Sequence, residues 1–143
     1  AAVYQVRGAL DALAARLAAQ RREALDAKLI ERGRKAARGR NVQAMIEADA
    51  AFHIAVYAAS GNPLIARSAH LHWAHIRRAM GASLQHATLR DSVWDEHEAI
   101  AQAIAAGDAA RAERLMREHA ARASEYITRR LEAAFGASEA HNA

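Results

Sequence analysis

Cysteine is absent from the 143 residues. Its absence excludes disulfides and thiolate metal sites, so any metal must be held by nitrogen and oxygen atoms. Proline occurs once, and hydrophobic residues, much of them alanine, make up 52%. So few breakers in so much alanine favour helix over sheet. No apolar run approaches the roughly 18 residues that span a membrane, and none has the flanks of a signal peptide. A cytoplasmic protein without membrane contact fits that composition. An initiator methionine is also missing, since the chain opens Ala1-Ala2-Val3, as a piece cut from a longer protein would.

A dense basic stripe is lacking too. Lys and Arg number 20 against 16 acids, for a net charge of +4. The pI of about 10.1 owes more to arginine replacing lysine than to excess charge. The arginines are interleaved with acids along the helices and read as solvated faces, not as a nucleic-acid surface.

What is present is helical periodicity over one domain large enough to bury a core. Val3, Val6, Leu10, Leu13 and Leu17 form a stripe that predicts a first helix to Gln20. A second is expected from Arg21 to about Ala37, its basic end favourable to the helix dipole. Asn41 caps a third helix that ends at Ser60-Gly61. Asn62-Pro63 is an N-cap followed by proline at the first helical position, opening a fourth helix to Met80 or Leu84. Gly81 to Leu89 reads as a loop. The fifth helix starts at Asp91 or Ser92 and stops at Gly107, and Asp108 caps the sixth. The tail after Gly136 is small and polar, which predicts fraying. The expected fold is all-α, an antiparallel bundle of about six helices, with the domain at 1–136 and a tail at 137–143.

Asp49 and His53, four residues apart on the third helix, project side by side. They make a two-point ligand set for a divalent metal, or else a plain core histidine hydrogen-bonded to an aspartate. A second pair lies about the fifth and sixth helices. His97 is ten residues before Gly107 and His119 eleven after Asp108, so in a tight hairpin each sits roughly 15 Å from the turn. Both fall on apolar stripes, facing each other at one level. Together the four give three imidazoles and one carboxylate. Zinc, nickel, manganese, iron and cobalt all accept such a set, with zinc, nickel or manganese foremost.

An ordered series of motifs adds to this. Val3-Tyr4-Gln5-Val6-Arg7 with Leu10-Asp11, Asp49-Ala50-Ala51-Phe52-His53, Ser60-Gly61-Asn62-Pro63-Leu64, Glu96-His97, Ala103-Ile104, Gly107-Asp108 and His119 follow one another. The series resembles the FCD family, the ligand-sensing C-terminal domain of FadR-type regulators in the GntR superfamily, over about residues 3 to 131. The resemblance implies a helical bundle holding one divalent metal through Asp49, His53, His97 and His119, with a small organic acid binding at that metal. It also implies a homodimer whose operator DNA is bound by an N-terminal winged helix-turn-helix absent from this chain. Arg7 is the expected cation for the acid, beside the alternative of a snorkelling surface arginine. In Leu71-His72-Trp73-Ala74-His75-Ile76-Arg77-Arg78, His75 stands where the family pattern carries arginine. His75 and Arg78 are therefore further candidates for effector contact, with Arg77 behind them. His70, His72 and His75 could instead be a surface cluster, and His86 and His141 read as solvated.

The rival is a metal-dependent hydrolase. Such an enzyme keeps fewer protein ligands and a free carboxylate base. Glu96 and Glu118 adjoin His97 and His119, but adjacent helical residues point about 100° apart. No nucleophile motif is present either, so the expectation is a sensor and not an enzyme.

Overall fold

The computed structural model describes residues 2–83 and 87–141. The described residues form an all-α bundle of six helices: α1 (Ala2–Gln20), α2 (Lys28–Gly39), α3 (Val42–Ala59), α4 (Pro63–Ser83), α5 (Ala87–Ala106) and α6 (Ala109–His141). None of them is long and apolar enough to cross a membrane.

Local chemistry sets most of the boundaries. The side-chain oxygens of Asn41, Asn62 and Asp108 accept from the backbone N–H of Ala44, Leu64 and Arg111 at 3.1, 3.1 and 3.2 Å. Each satisfies a donor that the first helical turn leaves without a partner. Gly61 and Gly107 adopt φ of +73° and +75°, and at Gly107 the Asp108 N–H reaches back to Ala103 O at 3.0 Å. That is the reversal glycine permits at low cost after a helix.

Two expectations need correction. The second helix begins at Lys28, not Arg21. Arg22 takes φ of +50°, and Glu23 N bonds Ala18 O at 3.1 Å, so the same kind of turn ends α1 without a glycine. The helix enters again only after Asp26, whose carboxylate accepts from Lys28 N at 2.9 Å. The segment expected as a loop is helical at 81–83 and again from Ala87. α6 runs past Gly136 to His141. A lone glycine costs a helix only about 1 kcal/mol, so neither Gly81 nor Gly136 ends its helix.

α1 is the central element, packed against α3, α4, α5 and α6. Its buried face is not the predicted stripe. Val6 and Leu13 are 48% and 42% exposed, whereas Ala14, Ala15, Ala18 and Ala19 are fully buried. A helix surrounded by others must present small side chains inward so that backbones can approach. Above the alanines the same face carries Tyr4, Arg7 and Asp11.

Candidate metal centre

Asp49 and His53 sit one turn apart on α3, His97 on α5 and His119 on α6, and all four are buried. Their tips converge. Asp49 Oδ1 lies 3.2 Å from His97 Nε2 and 3.6 Å from His53 Nε2. His97 Nε2 lies 3.3 Å from His119 Nε2. One ring nitrogen from each of the three histidines falls within 4.8 Å of the others. At metal–ligand distances of about 2.0–2.1 Å, ligands subtending 90–110° stand about 2.9–3.4 Å apart; the Asp49–His97 and His97–His119 separations fall in that range, and His53 stands slightly farther out. Asp49 Oδ2 is buried without a hydrogen-bond partner among the described residues. The donor set therefore fits a divalent cation.

The far sides of the rings are held as well. His53 Nδ1 lies 3.4 Å from Asp11 Oδ2. His119 Nδ1 is hydrogen-bonded to Glu96, whose other oxygen accepts from Arg122 Nε at 2.8 Å. At His119 the carboxylate on Nδ1 keeps the proton there and turns the Nε2 lone pair toward the cluster, whereas at His53 the Asp11 carboxylate is an ion-pair neighbour without a hydrogen bond. His97 is fixed by packing instead. Phe52 stacks on its ring at 4.0 Å and 10°, and Trp94 meets it edge-on at 4.7 Å.

Arg7 is 5% exposed. Its Nε pairs with Asp11 at 3.2 Å and its Nη2 lies 3.2 Å from His53 Nε2. The guanidinium also lies over the Trp73 ring at 5.3 Å. Asp11 accepts from the Tyr57 hydroxyl.

These groups set one another's charge. Burial disfavours the Asp49 and Asp11 carboxylates, yet His53 and Arg7 outweigh it and hold both below the ordinary 3.8. Burial likewise opposes a charged His53, but Asp49 and Asp11 raise it above the ordinary 6.5. His97 goes the other way. Burial, reinforced by the neighbouring cations, pushes it well below 6.5. Burial and then Asp11 keep the Tyr57 hydroxyl protonated.

His75 and Arg78 lie exposed on α4. From the same helix it is Trp73, 7% exposed, that meets Arg7 and, at 5.9 Å between ring centres, His53. His70 is exposed, and His86 lies outside the described residues. Glu96 reaches His119 across the α5–α6 pair, a contact that the direction of neighbouring side chains on one helix did not reveal. Asp11 and Tyr57 were readable in principle, each being four residues past a singled-out position, Arg7 and His53.

Comparison with known families settles the relationship. The FCD domain model matches residues 2–122. The chain belongs to the FCD domain family. FCD domains form the C-terminal part of GntR-family transcription regulators, binding small-molecule effectors while DNA is bound through an N-terminal domain, and they often bind metal. No curated protein matches this FCD domain.

Proposed function

We propose that this FCD domain senses a small organic acid at a divalent metal ion held by Asp49, His53, His97 and His119. The observation that carries the proposal is the convergence of three imidazole nitrogens and one carboxylate oxygen beside the buried Arg7. The metal would supply a Lewis-acidic anchor for a carboxylate. Arg7, Asp11 and Asp49 together carry one negative charge, so a divalent cation leaves one positive charge enclosed. Burying uncompensated charge is expensive, and a single carboxylate neutralises it. The same count disfavours neutral effectors.

Arg7 is the protein's own cation for the acid. Trp73 walls the site from α4, a part first assigned to His75 and Arg78. The remaining roles follow the family. The functional unit is a homodimer, and operator DNA is met only by a separate N-terminal domain. Hydrolase chemistry is the poorer reading because Glu96 is engaged by His119 and Arg122 and is not a free base.

Two measurements test the proposal. Elemental analysis should find about one divalent ion per chain, and His119→Ala should abolish it at neutral pH. Calorimetry with lactate, malate and other hydroxy acids should then show binding to the metal-loaded protein. A charge-assisted contact is worth about 1.5–3 kcal/mol, so Arg7→Ala should lose roughly 10- to 150-fold in affinity. Removing the metal should cost more, since it removes the primary anchor. Acid binding that is equally tight after the metal is stripped would overturn the proposal.

A further inference from the structure

Beside the cluster, the Tyr4 hydroxyl is a polar group that the metal site does not account for. Tyr4 is 6% exposed, and its hydroxyl, sealed from solvent, has no hydrogen-bond partner among the described residues. Folded proteins seldom leave a buried hydroxyl so, because its lost contact with water is not repaid. Tyr4 stands one turn before Arg7 on the inward face of α1, in the series Tyr4, Arg7, Asp11, and side chains three and four apart share a face. Part of its side chain lines a cleft of about 370 Å³ between α1 and α6, beside Gln5, Gly8 and Arg117. The phenol is thus bracketed by solvent on one side and by the charges of the site on the other. Arg7 and Asp49 both act on it, although burial is the larger influence and keeps it protonated. It is a donor waiting for an acceptor. Tyr57, by contrast, already donates its hydroxyl to Asp11.

We infer that Tyr4 is an effector-binding residue, its hydroxyl donating a hydrogen bond to a small carboxylate held beside Arg7. This rests on the sensing role proposed above and extends it, because the chemistry that completes Tyr4 is an oxygen acceptor on the ligand. The residue would thereby favour acids over apolar molecules of the same size.

Tyr4→Phe removes only the hydroxyl, and three readings on zinc-loaded protein test the inference. Without acid, the variant should retain its zinc and unfold at the same or a higher temperature, since an unpartnered buried hydroxyl contributes no stability. A lower unfolding temperature would show that the hydroxyl is already bonded within the protein, and the inference would fail. With lactate or malate, the wild type should bind about tenfold more tightly than the variant. Equal affinities, alongside zinc-dependent binding by the wild type, would remove Tyr4 from the site and leave the sensing role standing. If the wild type binds these acids only without regard to zinc, the sensing role itself falls, and this inference with it.

Discussion

Gly33 offers a test of the packing behind the metal centre from a helix that contributes no ligand. It is buried on α2 against the Trp94 indole, and a Cβ added there would lie 2.1 Å from the ring. Ordinary contact between carbons begins near 3.4 Å, so Gly33→Ala requires a retreat of about 1.3 Å. Either Trp94 or α2 must yield. Trp94 is 2% exposed and packed edge-on against both Phe52 and His97, contacts worth about 0.5–1.5 kcal/mol each beyond burial. α2 is held next to this point by Arg34, which reaches Asp95 at 3.0 Å and Glu98 at 2.5 Å. Those pairs are largely exposed and worth about 0–1 kcal/mol. The outer helix therefore gives way.

Overpacking costs about 1–3 kcal/mol, and alanine returns about 1 kcal/mol of helix propensity. With the Arg34 pairs loosened, the net loss is about 1–2 kcal/mol, or roughly 3–8 °C in Tm for a domain of this size. Gly39→Ala on the same helix, where nothing lies within 4 Å, is the control and should be neutral or stabilising. Differential scanning calorimetry of the two variants decides the matter. Metal affinity should stay within about threefold of the parent, since His97 keeps its aromatic neighbours. Equal stability of the two alanine variants would refute the Gly33–Trp94 packing. A Gly33→Ala protein that folds normally but loses its metal would show that the indole yields instead.

Two further outcomes are expected. Glu96→Gln weakens the carboxylate on His119 Nδ1 and should lower zinc affinity about 10- to 100-fold in competition with a chromophoric chelator; unchanged affinity would mean that Glu96 does not orient the ring. Asp11 and Asp49 have folded-state pKa values below the ordinary 3.8, so the stability they contribute is present above that value and is lost as pH falls from it through the lower folded-state values. Urea midpoints of the metal-free protein should decline on acidification below about pH 4, and less steeply in Tyr57→Phe, where Asp11 has lost a donor. An equally steep decline in that variant would break the link between Tyr57 and Asp11.

The legible parts of the fold were those governed by residues adjacent in sequence. Asn41, Asn62 and Asp108 announce helix starts because their side chains bond the backbone two or three residues on. The hairpin argument also placed His97 opposite His119, since equal spacing about Gly107 is a matter of helical rise alone. Orientation about a helix axis was harder. The leucines of α1 suggested a face that is partly solvent-exposed, because alanine contrasts too weakly with its neighbours to mark a buried side. The Glu96–His119 contact depends on how α5 and α6 are rotated against each other, and no local pattern encodes that. The turn at Arg22 carries no glycine to betray it.

The alanine face of α1 makes mutational tolerance one-sided. At Ala14, Ala15, Ala18 and Ala19, all with no accessible surface, a side chain has almost nothing to lose and every larger one must force helices apart. Leucine cores fail by leaving holes that neighbours can partly fill. This centre fails by wedging, and the wedge acts on the helix that carries Arg7 and Asp11. In a library covering all substitutions, those four columns should accept little beyond glycine and serine, while Val6 and Leu13, larger and more hydrophobic, vary freely. A map of tolerated change would thus run opposite to one drawn from hydrophobicity.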